Sequence, residues 1–198
     1  MTGTTSKRPT APASVTPHAT DSAPGPVTDP ATESGAGPAG ASTAVEKPGP
    51  RRLTEPEVDA LLGAGRFGVL ASLRSSGAPH LSTVAYQWLP GRRELLVSST
   101  ADRLKTRQLL ADGRVALHVS GPDPWSFAVA EGEAEVLGPS LAAGDAAGRE
   151  ILARTAQAEG TTPAGASRAA ALAELAAERR VLFVIRVSRR YGTALDFA

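Results

Sequence analysis

The residues best suited to chemistry form one run, Val97-Ser98-Ser99-Thr100-Ala101-Asp102-Arg103-Leu104-Lys105-Thr106, where a predicted strand ends and a predicted helix begins. The unpaired N–H groups and the dipole at a helix N-terminus favour an anion. Hydroxyl groups can donate hydrogen bonds to that anion, and a guanidinium binds phosphate with a forked pair of donors. The run therefore predicts a phosphate site formed by Ser98, Ser99, Thr100, Arg103, Lys105 and Thr106. A solvated basic helix face after a polar turn is the alternative interpretation.

The spacing of the two cations sets a geometric condition on this site. Positions two apart do not share a helix face, so Arg103 must lie in the first helical turn or before it if both cations are to reach one phosphate. We expect Asp102 or Thr100 to be the N-cap, because short oxygen-bearing side chains accept hydrogen bonds from the free N–H groups there.

Trp125 is a second candidate, since it follows a Pro-containing turn and could stack on a planar ring. The same position also suits a core or interface anchor. His80 and His118 lie in predicted strands with no His, Asp or Glu nearby at ligand spacing, so no metal site is predicted. The chain has no cysteine, no serine-nucleophile motif and no Walker loop. These absences favour a system in which a cofactor supplies the reactivity.

The amino-acid composition argues against several classes of function. The 198 residues carry 21 Lys and Arg against 20 Asp and Glu, so non-specific binding to nucleic acid or to an acidic membrane is not expected. No apolar run is long enough to cross a membrane, and no apolar segment follows the N-terminal Lys7 and Arg8 to form a secretory signal. We therefore expect a cytoplasmic protein that acts on a small-molecule substrate.

The chain divides at about residue 50. Residues 1–50 contain no Leu, Ile, Phe, Tyr or Trp, so we predict a disordered tail that cannot bury enough apolar surface to fold. Residues 51–198 are predicted to form one mainly β domain, a small closed barrel with flanking helices. The predicted helices lie at 54–63 and 103–112 and within 139–180. The predicted strands are 67–73, 80–88, 94–99, 114–120, 126–137 and 181–188, with a short tail beginning at Tyr191-Gly192.

Several segments together resemble the pyridoxamine 5'-phosphate oxidase-like split-barrel superfamily, and within it the actinobacterial group that uses the deazaflavin coenzyme F420. The resemblance covers about residues 53–193. The matching segments are 68–72, 77–84, 103–107, 125–132, 179–182 and Tyr191-Gly192. The Arg–His motif by which pyridoxamine phosphate oxidases hold their substrate is missing from 189–193, which argues against vitamin B6 chemistry.

The resemblance implies a six-stranded FMN-binding split barrel that forms an obligate homodimer, with two cofactor sites at the subunit interface. In that arrangement the cofactor phosphate lies on Arg103 and Lys105, helped by the hydroxyls of 98–100. The residues expected beside the ring, the ribityl chain or the charged tail of the cofactor are His80, Ser82, Thr83, Trp125 and Arg180. The resemblance allows Trp125 to come from the partner subunit.

The function implied is hydride transfer from reduced coenzyme F420 to an unsaturated organic substrate. Two alternatives stay open at this point. One is an FMN-dependent oxidase or reductase of the same fold, and the other is a non-catalytic F420-binding or carrier protein.

Overall fold

The computed structural model describes residues 49–123 and 125–195. The part described has eight strands and four helices, which confirms a mainly β fold with flanking helices. In chain order they are β1 Pro50–Arg52, α1 Glu55–Ala64, β2 Phe67–Leu73, β3 Pro79–Ala85, β4 Gln87–Leu89, β5 Glu94–Thr100, α2 Leu104–Ala111, β6 Arg114–Ser120, β7 Phe127–Leu137, α3 Ala146–Glu159, α4 Gly165–Ala177 and β8 Arg180–Leu195. Nearly all of the segment predicted to be a disordered tail lies outside the described residues.

One antiparallel sheet contains every strand of the described chain. Its order is β3-β2-β6-β7-β8-β5-β4, and β1 pairs with β8. The strands at the two ends of this order, β3 and β4, are separated in sequence only by Tyr86. The chain therefore passes from one edge of the sheet straight to the other, which curls the sheet into a barrel that is split between those edges. The prediction of one strand over 80–88 is wrong, because Tyr86 divides it.

Tyr86 is fixed at this crossing by two hydrogen bonds. Its hydroxyl donates to the carbonyl of Leu62 at 2.6 Å, and its backbone N–H donates to the carbonyl of Arg66 at 3.1 Å. Burial raises the pKa of Tyr86 to about 12, so the hydroxyl keeps its proton at neutral pH. The crossing is thus tied to the end of α1 and the residues that follow it.

Side chains alternate between the two faces of each strand, and this alternation separates two hydrophobic cores. Leu95 and Val97 of β5 point into the barrel, where Phe183 of β8 is also fully buried. Leu96 points outward and packs with Ile151 of α3 in a second core. Both faces of β5 are therefore covered near its centre, because α3 and α4 pack on the outside of the barrel.

The last strand is longer than predicted. β8 runs from Arg180 to Leu195, so Tyr191-Gly192 lies within a strand that pairs with β7 along its length and does not begin a tail. A Cβ at Gly192 would lie 2.5 Å from the carbonyl oxygen of Phe127, so only glycine allows this close pairing. β1 was not predicted. It is recognisable only by its backbone pairing with the end of β8, since all three of its side chains are exposed.

Candidate functional site

The predicted phosphate site lies where β5 ends and α2 begins. Arg103 is the N-cap of α2, in extended backbone with φ −68° and ψ 143°, and Leu104 is the first helical residue. Arg103 therefore meets the condition for sharing one anion with Lys105, since it lies outside the helical twist. The prediction that Asp102 or Thr100 caps the helix is wrong. The Thr100 hydroxyl donates to the Asp102 carboxylate, and no side chain caps α2.

Thr106 fixes the start of α2 against the end of β5. Its hydroxyl donates to the carbonyl of Thr100 at 2.8 Å, and the residue is 1% exposed. Arg107 adds a second link, because its Nη1 donates to the carbonyl of Asp102 at 2.8 Å. The Thr106 hydroxyl proton is therefore already used within the protein, and the structure gives this residue a positioning role.

The two predicted cations are close together and form no ion pair with a described residue, and the Asp102 carboxylate attracts Arg103 without pairing with it. Arg103 is exposed and Lys105 is partly buried. Neither side chain has a hydrogen bond or ion pair to a described residue. Burial lowers the pKa of Lys105, and the positive charge of Arg103 lowers it further. A bound anion would relieve both effects.

The three hydroxyls before the helix do not share a face. Ser98 and Thr100 point to the outside of the barrel, whereas Ser99 points inward beside the core and is 6% exposed. Arg180 lies opposite Thr100 on β8 and reaches back to donate from Nη1 to the Ser98 hydroxyl at 3.3 Å. Its Nε donates to the carboxylate of Glu178.

The outward-facing group is called the anion corner below. Its members are Ser98, Thr100, Arg103, Lys105 and Arg180. It stands in a basic environment, because residues 100–107 and 178–180 contain five Arg or Lys side chains and two carboxylates. Ser99 and Thr106 are excluded from the corner by their inward direction and by the internal hydrogen bond of Thr106.

The three predicted residues of β3 also divide between the two faces. His80 and Ser82 point into the barrel, opposite Ser72 and Leu70 of β2, and their Nδ1 and Oγ atoms are buried without a hydrogen-bond partner among the described residues. Thr83 points outward and is exposed. Of the three, only Thr83 shares the outer surface with the anion corner.

A cleft of about 200 Å³ adjoins the anion corner at Ser98. It spans the split of the barrel from Ala85 at the end of β3 to β5, and α3 forms its outer wall. Several polar residues in it were not predicted as site residues, among them Gln87 and Glu159. The Gln87 amide donates to Glu159 of α3 at 3.5 Å. Strand alternation could have identified Gln87, which shares a side with Thr83, but nothing in the Ala-rich segment 139–180 singles out Glu159.

Trp125 lies far from the anion corner within one chain. It is 58% exposed in the turn before β7, where Phe127 pairs with Thr193 near the end of β8. Arg180 begins the same strand, so roughly 40 Å of extended chain separates the two regions. The structure therefore does not place Trp125 beside the corner of its own subunit.

The described ranges hold neither a metal-ligand cluster nor a membrane-spanning helix. No group of three or more His, Cys, Asp or Glu side chains is arranged to hold a metal ion in the described ranges. No helix within those ranges is long and apolar enough to cross a membrane.

Comparison with known proteins identifies the family. A solved structure of an F420 reductase aligns with 67% of this chain and 94% of its own, at 21% identity and a TM-score of 0.46. A FAD-binding protein from Mesorhizobium loti aligns with 73% of this chain and 96% of its own, at 22% identity and a TM-score of 0.49. A conserved hypothetical protein from Mycobacterium tuberculosis aligns with 70% of this chain and 82% of its own, at 22% identity and a TM-score of 0.51, which shows a shared fold. The family model for pyridoxamine 5'-phosphate oxidase matches residues 54–192. The chain therefore belongs to the pyridoxamine 5'-phosphate oxidase-like split-barrel family.

Proposed function

We propose that this protein is an F420-dependent oxidoreductase and that the anion corner binds the cofactor phosphate. The observation that carries the proposal is the pair of cations at the start of α2. Arg103 and Lys105 lie close enough to lower the pKa of Lys105, yet neither has a carboxylate partner among the described residues. Two such charges held together are unfavourable unless an anion joins them.

The surrounding groups suit a phosphate in particular. The first N–H groups of α2 have no intrahelical acceptor and can donate to an oxyanion. The Ser98 hydroxyl accepts from Arg180, which leaves its own proton available for a ligand oxygen. Charge-assisted hydrogen bonds contribute roughly 1.5–3 kcal/mol each, so three or four of them would hold a phosphate firmly.

The remaining parts of the cofactor have room along the outer surface. The cleft at Ser98 leads across the split to Ala85, which shares the outer face of β3 with Thr83. When bound, the reduced deazaflavin would supply a hydride to an electron-poor double bond, and solvent would supply the proton that completes the reduction. The protein would orient the ring and the substrate. Arg180 stands at the same corner and would meet the charged tail, although Glu178 already neutralises part of its charge.

The proposal includes a homodimer, because one subunit leaves part of the outer surface open. Phe67 of β2 and Leu81 of β3 are 68% and 63% exposed on the outer face, and Val69 lies beside them. A second copy packed on this apolar face would cover it. Trp125 would then reach the anion corner of the partner, which it does not reach in its own subunit.

The proposal is tested by titrating the full chain with coenzyme F420 and with FMN. We expect micromolar binding of F420 to the unaltered chain and at least about a hundredfold loss in the Arg103→Ala/Lys105→Ala double variant. Arg92→Ala is the matched control, since Arg92 lies in the exposed turn between β4 and β5. Binding that is unchanged in the double variant would contradict the role of the anion corner.

The same titration separates the alternatives. An FMN-dependent enzyme would bind FMN more tightly than F420 and would show a flavin spectrum when purified. A carrier would bind F420 but transfer no hydride to a broad panel of quinones, enones and nitroaromatics. The Phe67→Glu variant tests the dimer by light scattering, where a shift from the dimer mass to the monomer mass is expected.

A further inference from the structure

A second cleft, distinct from the one at Ser98, lies between the turn that joins β2 to β3 and one side of α2. Its volume is about 650 Å³, which is within the range of small-molecule sites in proteins. It is called the hairpin cleft below. Its lining residues are Leu73, Arg74, Ser75, Ser76, Gly77, Leu104, Arg107, Gln108, Ala111, Asp112 and Arg114.

The cations of the hairpin cleft are not equivalent. Arg114 is neutralised, because it forms a forked pair with the Asp112 carboxylate at 2.6 to 3.2 Å. The Arg74 side chain has no hydrogen bond or ion pair to a described residue. Arg107 donates from Nη1 to the backbone carbonyl of Asp102, and the Asp102 carboxylate attracts it without forming an ion pair. Two guanidinium groups therefore line the cleft with hydrogen-bond donors to spare.

The floor of the hairpin cleft is apolar. Leu104 is 40% exposed there, and Leu73 and Ala111 line the cleft beside it. Gln108 also lines the cleft, but the residue is buried and its side-chain oxygen accepts from Ser72 at 2.9 Å. The hydroxyls of Ser75 and Ser76 form the rim on the turn. An apolar floor between two guanidinium groups that have donors to spare suits an amphipathic anion.

We propose that the hairpin cleft binds a small molecule with an apolar body and one carboxylate group. The apolar body covers the floor formed by Leu73, Leu104 and Ala111. The carboxylate lies between Arg74 and Arg107, where a guanidinium can donate two parallel hydrogen bonds. Arg107 belongs to a helix and Arg74 to a tight turn, in which the Gly77 N–H donates to the Arg74 carbonyl at 2.8 Å. Both cations are therefore attached to ordered backbone.

The hairpin cleft is separate from the anion corner. Leu104, Gln108 and Ala111 follow one another at helical spacing and define the side of α2 that lines the cleft. Arg103 and Lys105 are not among the lining residues. The proposal therefore stands whether or not the anion corner binds a deazaflavin, and each can fail without the other.

The test compares naphthoate with naphthamide, which share an apolar body and differ in charge. Binding to the full chain is followed by calorimetry and by amide NMR spectra. We expect naphthoate to bind at least about tenfold more tightly than naphthamide, as two charge-assisted hydrogen bonds require. The largest shifts are expected at the amides of Ser75, Ser76 and Gly77.

The variants then locate the site. Arg74→Gln/Arg107→Gln should reduce naphthoate binding to the level of naphthamide, whereas Arg92→Gln and Lys105→Met should leave it unchanged. Three results would overturn the proposal. These are equal binding of the acid and the amide, no binding of naphthoate up to about 5 mM, or an equal loss in the Arg92→Gln control.

Discussion

The inner and outer faces of the barrel wall use polar side chains for different purposes. On the inner face the Thr106 hydroxyl is bonded to the Thr100 carbonyl, and Ser72 is bonded to Gln108. On the outer face Arg103 and Lys105 have no partner within the described chain. Thr106 and Ser72, which face inward, are thus bonded within the protein, whereas Arg103 and Lys105, which face outward, keep their hydrogen-bonding capacity for a ligand. Other residues do not follow this division: the inward His80 and Ser82 have buried atoms without a partner among the described residues, and the outward Thr100 and Arg180 are bonded within the protein.

This difference follows from the physics of burial. A buried polar group that loses its hydrogen bond costs about 1–3 kcal/mol, so inward groups are paired where the packing allows it. An exposed cation is hydrated and needs no partner. An outward pair of cations without an ion pair is therefore compatible with a stable fold and available for recognition, and substitutions on the two faces should have different consequences.

The largest contrast is expected between two leucines. Leu70 points into the barrel and is fully buried, whereas Leu110 of α2 is 65% exposed. Leu70→Ala should lower the free energy of unfolding by about 2–5 kcal/mol, because it leaves a cavity in a packed core. Leu110→Ala should change it by less than about 0.5 kcal/mol. Urea denaturation measures both, and similar losses would remove the distinction between the two faces.

Thr106 should show that an inward group positions the outward site. Thr106→Val keeps the shape of the side chain but removes the donor to Thr100, so we expect a loss of about 1–2 kcal/mol in unfolding free energy. Phosphate-ligand affinity should fall several-fold as the start of α2 loosens. The outward Thr83→Val is the control for stability, which it should leave unchanged in the same denaturation experiment.

Ser98 and Ser99 give the sharpest test of which side chains face outward. Ser98→Ala should weaken the binding of a phosphate-bearing ligand about five- to tenfold, because the outward hydroxyl donates to it. Ser99→Ala should leave that affinity unchanged, since its side chain points into the barrel. Isothermal titration of both variants is the measurement. Equal effects of the two substitutions would contradict the assignment of faces.

The smallest effect is expected from pH and concerns Lys105. Its pKa lies below the ordinary value of 10.5 because of burial and the charge of Arg103. The unfolded chain therefore binds more protons than the unliganded fold in the alkaline range just below 10.5, and stability attributable to this group rises with pH there. Binding of an anion should weaken in the same range as the ammonium is lost. Lys105→Met should remove this part of the pH profile in a titration series.

The sequence predicted much of the fold correctly. The bounds of β2 and β6 agree with the structure. At the start of α1, Thr54 and Glu57 lie three positions apart and form a capping box, in which the Thr54 N–H donates to the Glu57 carboxylate at 2.7 Å. These features depend on residues close together in sequence. The division of 80–88 into two strands depends on the opposite edges of a sheet meeting at Tyr86, and no local pattern indicates that.

The sequence predicted which residues form the candidate site, but not which way their side chains point. Alternation already assigns Ser82 and Thr83 to opposite sides of a strand, yet both were expected near the cofactor. Ser98 and Ser99 were likewise treated as one cluster. Which side of each strand faces the core is decided by the closure of the barrel, so only the structure could separate the ligand-accessible hydroxyls from the internal ones.

What the sequence by itself determined is the set of local features: the strand and helix periods, the capping box and the position of two cations around a helix start. These follow from interactions between residues a few positions apart. The tertiary structure alone decided which hydroxyls share the surface with Arg103 and Lys105, that α3 brings Glu159 to the cleft, and that Trp125 lies at the opposite end of β8. The physical reason is that these relations depend on strand pairing between distant segments, and that pairing is set by burial of the whole core.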